Sequence, residues 1–137
     1  MLDTSTEHGA RADRRLREEP IIWLTTVDRR GQPQASPVWF LWDGRTILIY
    51  SRPTQKVRNV RRSPRVALHL SDNGIGGDIV TIEGTATLAD DAPPADQNPA
   101  YLDKYHDGIR RIGLEPAAFA VAYSQPIRIT PTRFRVW

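Results

Sequence analysis

Short apolar runs separated by turn-forming residues make up most of this chain, which is typical of β-strands joined by tight connections. Six of these runs are rich in β-branched and aromatic residues or alternate apolar with polar positions. They predict strands at residues 21–27, 34–42, 46–51, 66–71, 78–89 and 128–137. Because Gly31 and the pair Asp43 and Gly44 suit hairpin turns, we expect the first three strands to form successive hairpins.

Two of the predicted strands have unusual patterns. The second carries apolar residues on both faces, with Ser36, Val38, Phe40 and Trp42 on one face and Ala35, Trp39 and Leu41 on the other. We therefore expect this strand to be covered on both sides. The fifth contains Gly84 in its interior, where a glycine often marks a bulge or the close approach of another group.

Helical signals occupy four further segments, residues 3–18, 53–62, 101–112 and 115–123. Asp3 or Thr4 can cap the first of them, and its sparse apolar positions predict a location on the surface. Pro53 suits the first position of the second helix, and Gly113 can end the third.

These elements predict a mainly β protein with helices (α+β), in which about six antiparallel strands form a barrel with meander connections. The length of 137 residues fits one folded domain. We expect residues 20–137 to form that domain and residues 1–19 to form an N-terminal helix before it.

The composition narrows the location and the chemistry. The absence of cysteine excludes disulfides, thiolate metal sites and cysteine nucleophiles, and it suits a reducing compartment. No apolar run approaches the ~20 residues that span a bilayer. The first 20 residues also lack the apolar stretch of a signal peptide. We therefore expect a cytoplasmic protein that does not contact a membrane.

Positive charge is concentrated in one segment, although the net charge of the chain is only +3. Residues 51–65 contain no acidic residue and six basic ones, Arg52, Lys56, Arg58, Arg61, Arg62 and Arg65. A local basic block in a nearly balanced chain favours an anionic ligand over nucleic acid, for which no recognised motif is present. The alternative is a solvated helix face, above all for Arg62 and Arg65.

The start of this segment suits a phosphate or a carboxylate. Ser51 lies just before the predicted helix, where free N–H groups and the helix dipole attract anions. Lys56 adds a point charge, and Arg52 and Arg58 offer forked donors. No metal-ligand cluster and no Ser–His–Asp pattern accompanies these residues, so we predict neither a metal site nor a catalytic side chain.

Several short motifs occur in an order and spacing that carry a family resemblance. They are TTV at 25–27, GQPQ at 31–34, PVWF at 37–40, IYS at 49–51, KVRNV at 56–60, PRVAL at 64–68, VTIEGT at 80–85, KY at 104–105 and RITPT at 128–132. Together they resemble the pyridoxamine 5'-phosphate oxidase-like family, whose fold is an FMN-binding-like split β-barrel. The runs GQPQASPVW and SRPTQKVRN are similar to the branch of actinobacterial type that uses the deazaflavin coenzyme F420. Residues 36–40 carry no charge, whereas classical pyridoxamine phosphate oxidases place a basic residue there.

The resemblance implies a homodimer with a cofactor groove shared by both subunits. It implies hydride transfer from reduced F420 to a small unsaturated or carbonyl acceptor, so that the protein has only to bind, orient and shield the cofactor. The cofactor-binding residues that it implies are Ser36, Pro37, Val38, Trp39, Tyr50, Ser51, Arg52, Lys56, Arg58 and Asn59. An FMN-dependent oxidoreductase and a non-enzymatic protein that binds F420, flavin or haem remain alternatives.

Overall fold

The computed structural model describes residues 2–137, and a seven-stranded antiparallel sheet forms the body of that part of the chain. The strands are β1 (Ile22–Val27), β2 (Pro33–Val38), β3 (Leu41–Trp42), β4 (Ile47–Ser51), β5 (Arg65–His69), β6 (Val80–Leu88) and β7 (Gln125–Val136). Their order in the sheet is β2-β1-β5-β6-β7-β4-β3, and the sheet curls into a half-barrel. The mainly β, α+β split-barrel prediction is confirmed.

Four α-helices accompany this sheet within residues 2–137. They are α1 (Glu7–Glu18), α2 (Gln55–Arg62), α3 (Pro99–Arg111) and α4 (Pro116–Ala122), and a short 3-10 helix spans Ala95–Gln97. None of them has the length and apolar character that a bilayer-crossing helix requires.

Helix α1 differs from its prediction at its start. Thr6, rather than Asp3 or Thr4, is the N-cap, and its Oγ1 accepts a hydrogen bond from the Gly9 N–H at 3.0 Å. The helix lies on the surface, as the sequence predicts, and most of its residues are exposed or half-buried. Its inner face packs on the barrel core through Ala12 and Leu16, both of which are buried.

The second predicted strand, residues 34–42, is divided into β2 and β3 by an interruption at Phe40. The Phe40 N–H donates a hydrogen bond to the Tyr105 hydroxyl at 2.8 Å. The Phe40 carbonyl accepts one from Lys104 Nζ at 2.9 Å. Because helix α3 satisfies both backbone groups, the sheet ladder is broken here, and residues 2–137 contain seven strands where about six were predicted. The expectation that this strand is covered on both sides was wrong for β2, in which no residue is buried. It is confirmed for residues 39–42, where Phe40 and Trp42 lie in the barrel core while Trp39 and Leu41 pack against a second apolar cluster.

Strand β4 is buried along its whole length because it separates two apolar clusters. Ile47 and Ile49 face the barrel core, whereas Leu48 and Tyr50 face a second cluster under α3 and α4. This second cluster is mainly aromatic. One face of β4 thus belongs to the barrel core. Its other face packs under helices α3 and α4, which together form the helical cover of the barrel.

Gly84 permits an irregularity in the long pairing of β6 with β7. The register shifts between Glu83 and Gly84, as the sequence predicts. A Cβ at position 84 would lie 2.8 Å from Ile129 Cγ2 and 3.0 Å from the Thr130 carbonyl oxygen. Only a residue without a side chain allows β7 to approach this closely.

Candidate functional site

A cavity of about 410 Å³ lies between the barrel and its helical cover. Aromatic side chains form one part of its lining: Trp39, Tyr50, Tyr101, Phe119 and Tyr123. Polar and basic residues form another: Ser51, Arg52, Thr54 and Lys56. Apolar residues complete it: Ile21, Pro37, Val38 and Ile112. The volume lies in the range of small-molecule and cofactor sites.

Helices α3 and α4 hold the Trp39 indole in the cavity wall. The indole stacks on Tyr105 with ring centroids 4.7 Å apart and an interplanar angle of 3°. Phe119 of α4 stacks beside it, at 5.6 Å and 14°. Gly108 makes this packing close, since a Cβ there would lie 3.1 Å from Trp39 Cη2. The plane of the Trp39 indole is therefore fixed by its neighbours.

Tyr50 and Tyr101 contribute two further rings to the cavity, and their hydroxyls differ in hydrogen bonding. The Tyr50 hydroxyl donates to the Pro93 carbonyl at 2.7 Å and accepts from Asn98 Nδ2 at 3.1 Å. Burial raises the pKa of Tyr50 and raises that of Tyr101 further. The buried Tyr101 hydroxyl has no hydrogen-bond partner within residues 2–137.

Two cations lie at the polar part of the cavity. Lys56 is half-buried, and its Nζ donates to Thr54 Oγ1 at 3.5 Å. Burial lowers the pKa of Lys56. The Arg52 guanidinium lies over the Tyr123 ring, 4.7 Å from its centroid. In the described part of the chain no carboxylate forms an ion pair with either residue. A partly desolvated ammonium without a counterion is a favourable partner for an anionic ligand.

The position of Ser51 relative to the helix was predicted wrongly. Ser51 ends β4, whereas α2 begins only at Gln55, and its buried hydroxyl donates to the Arg52 carbonyl at 2.7 Å. The residue that precedes the helix is Thr54, whose side chain makes no capping hydrogen bond. Thr54, and not Ser51, is therefore the residue of the cavity lining that stands at the start of α2.

Three predicted residues lie outside this cavity. Ser36 lines an adjoining groove of about 230 Å³, which shares Thr54 and Lys56 with the cavity. Arg58 is exposed and donates to Gln55 Oε1 at 2.9 Å.

Asn59, the third of these residues, is fully buried beneath α2. Its Nδ2 donates to Thr26 Oγ1 at 3.0 Å and to Gln34 Oε1 at 2.9 Å. Its Oδ1 accepts from Gln55 Nε2 at 2.8 Å. The Asn59 side chain thus ties α2 to β1 and β2 instead of facing a ligand.

The fold brings the other seven predicted residues together around the cavity: Pro37, Val38, Trp39, Tyr50, Ser51, Arg52 and Lys56. That they bind a cofactor stays a prediction. Sequence reasoning did not assign Thr54, Tyr101, Phe119 or Tyr123 to the site. The helical spacing of Tyr101 in the sequence favoured packing over a place beside the pocket, and nothing local marked α4 as a cavity wall. Within residues 2–137 no group of three or more His, Cys, Asp or Glu side chains is arranged to hold a metal ion.

Comparison with known protein families places this site in context. The family model described as "Pyridoxamine 5'-phosphate oxidase" matches residues 10–137, which is nearly the whole chain. The chain belongs to this family. The split-barrel resemblance inferred from the sequence motifs is therefore confirmed.

Several proteins with solved structures share the fold of this member of the pyridoxamine 5'-phosphate oxidase family. An F420 reductase is 27% identical, with a TM-score of 0.67, and the match covers 90% of this chain and 94% of that one. A conserved hypothetical protein from Mycobacterium tuberculosis is 24% identical, with a TM-score of 0.74 and coverage of 96% and 84%. A haem-storage protein from Vibrio cholerae is 17% identical, with a TM-score of 0.64 and coverage of 95% and 93%. The last two show the fold alone.

Proposed function

We propose that this protein is an F420-dependent oxidoreductase, which transfers a hydride from reduced F420 to a small unsaturated or carbonyl acceptor. Family membership and the similarity to an F420 reductase support a flavin-type cofactor and oxidoreductase chemistry. The observation that carries the proposal is the pairing, in one cavity, of stacked aromatic walls with the half-buried and unpaired Lys56.

The cavity lining fits a molecule with a flat ring at one end and an anionic chain at the other. The fixed Trp39 indole and the Tyr50 ring offer surfaces for a tricyclic ring system. Lys56, Arg52 and Thr54 offer donors for a phosphate and for carboxylates. The unpartnered Tyr101 hydroxyl is a further sign that the cavity takes a ligand.

When bound, reduced F420 supplies the hydride, so the residues of the chain have binding and shielding roles. Lys56 and Arg52 neutralise the anionic chain and thereby fix its direction in the cavity. Trp39 orients the ring, because its own plane is held by Tyr105 and Phe119. Helix α4 excludes water from the aromatic part of the cavity through Phe119, which is buried.

We also propose that two copies of the chain associate over the cavity mouth. Ile21 and Ile112 line the cavity and are 36% and 49% exposed. Strand β2, next to this rim, is an edge strand with no buried residue. A second copy would cover both features. Sedimentation velocity at micromolar concentration is expected to give a dimer, and a strict monomer would contradict the shared groove.

Titration with F420 and with FMN tests the proposed function, followed by assay of reduced F420 with quinone and enone acceptors. Binding of F420 and its oxidation by an acceptor are expected. Binding of FMN without binding of F420 would overturn the proposal in favour of an FMN-dependent oxidoreductase. Binding of F420 without turnover on any acceptor would point to a cofactor-binding protein.

A further inference from the structure

The Tyr101 hydroxyl is an exception among the buried phenols of the helical cover. Tyr101 is 0% exposed, and within residues 2–137 its hydroxyl lacks any hydrogen-bond partner. Its neighbour Tyr105 is equally enclosed but fully satisfied. The Tyr105 hydroxyl accepts from the Phe40 N–H and lies 2.8 Å from the Pro20 carbonyl oxygen, to which it donates. The lack of a partner at Tyr101 is therefore not a general property of this cluster.

Packing fixes the Tyr101 ring in this position. The ring lies edge-on to Tyr50 at 4.8 Å, tilted against Tyr105 at 4.8 Å and beside Phe119 at 6.0 Å. These contacts hold a polar atom in an apolar region, where an unmade hydrogen bond is costly. Burial raises the pKa of this phenol, so the hydroxyl keeps its proton and can donate. Native structures rarely keep such a group without a partner, and Tyr101 lines the cavity.

We propose that the Tyr101 hydroxyl donates a hydrogen bond to a neutral carbonyl oxygen of the ligand that occupies the cavity, and so selects for conjugated carbonyl compounds. An anionic oxygen is disfavoured there, because the three rings that contact Tyr101 carry no charge. A carbonyl on a flat conjugated molecule meets both requirements, an acceptor atom and a surface that stacks. This carbonyl belongs either to the ring of the cofactor or to the acceptor. The inference rests on the proposed function only in taking the cavity as the ligand site.

The test compares the wild type with Tyr101→Phe and with the matched variant Tyr105→Phe. Each protein is melted without ligand and is titrated by calorimetry with F420, with FMN and with menadione, a quinone. Tyr101→Phe is expected to melt at the wild-type temperature or above it, because it removes a group that is hydrated only in the unfolded chain. It is also expected to weaken binding of at least one carbonyl probe about tenfold. Tyr105→Phe loses the hydrogen bonds of its hydroxyl to Phe40 and Pro20 and is expected to melt several degrees lower.

The results of these measurements distinguish the two possible sources of the carbonyl. They also distinguish failure of the Tyr101 proposal from failure of the proposed function. Weaker binding of F420 or FMN assigns the carbonyl to the cofactor ring, and weaker binding of menadione alone assigns it to the acceptor. Equal affinities of the wild type and Tyr101→Phe for every probe that the wild type binds would overturn the Tyr101 proposal alone. A melting temperature of Tyr101→Phe as low as that of Tyr105→Phe would overturn it as well, because the hydroxyl would then already have a partner. Failure of the wild type to bind any of the three probes would overturn both proposals.

Discussion

At the scale of single residues, two half-buried lysines have different environments and different expected roles. Lys56 lies at the cavity without a carboxylate partner, whereas Lys104 donates to the Phe40 carbonyl and lies over the Phe40 ring at 3.8 Å. Lys56 is therefore positioned to bind an external anion, whereas Lys104 binds a backbone group of the protein itself. Substitution of Lys56 should change the affinity for the ligand, and substitution of Lys104 should change the pH dependence of stability.

Lys56→Ala is expected to weaken F420 binding about tenfold or more, since it removes a charge-assisted contact to the anionic chain. Arg61→Ala is the matched control, because Arg61 is exposed on the same helix and lies outside the cavity. It should change the dissociation constant by no more than about twofold. Burial lowers the pKa of Lys56, so the wild type should lose affinity as rising pH neutralises this side chain, and Lys56→Ala should not. Equal affinity of Lys56→Ala and the wild type would show that the anion binds elsewhere.

Lys104 should make the stability of the protein rise with pH. Burial lowers the pKa of Lys104 to about 8, and the nearby Glu19 offsets only part of this effect. Between pH 8 and about 10 the unfolded chain holds the proton that the folded protein has lost, so the free energy of unfolding increases. Urea unfolding at pH 7 and pH 9.5 should show this increase in the wild type and a smaller one in Lys104→Met. An unchanged increase in the variant would mean that other groups cause it.

At the scale of elements, one buried amide links helix α2 to two strands of the sheet. Asn59 connects α2 with Thr26 of β1 and Gln34 of β2. Since α2 carries Lys56, this attachment also fixes the cation at the cavity. The fully buried amide forms three hydrogen bonds, and its removal leaves the buried Thr26 hydroxyl without this donor.

Asn59→Ala is therefore expected to lower the free energy of unfolding by about 2–3 kcal/mol. Arg58→Ala, at the preceding position of the same helix, removes only exposed contacts and should stay within about 0.5 kcal/mol of the wild type. Urea titrations of the three proteins make the comparison. A loss for Asn59→Ala no larger than that for Arg58→Ala would contradict the attachment role.

The elements that the sequence predicted well are those with local signals. The hairpin of β1 and β2, the start of β4 and the bulge at Gly84 follow from turn residues and apolar alternation within a few positions. The interruption at Phe40 could not be predicted in this way. It depends on Tyr105 and Lys104, which lie 65 and 64 positions further along the chain. When a helix that is distant in the sequence satisfies a backbone group, the local pattern of apolar and polar residues does not indicate it.

At the scale of the whole molecule, the site arises where the helical cover meets the barrel. The basic segment and the Trp39 segment were found from motifs, and β4 and α2 do bring them to one cavity. The rest of the aromatic wall, Tyr101 and Phe119, comes from helices that reach the barrel only through tertiary packing. Their apolar spacing is the same whether they cover a solid core or a cavity. The sequence therefore indicated the anionic part of the site better than its aromatic wall.

A crystal structure of the protein with oxidised F420 tests the proposed cofactor site most directly. The cofactor is expected in the cavity, with its ring against Trp39 and a phosphate or carboxylate oxygen within hydrogen-bond distance of Lys56 Nζ. Density for F420 only outside this cavity, or in it without a contact to Lys56, would contradict the proposed site.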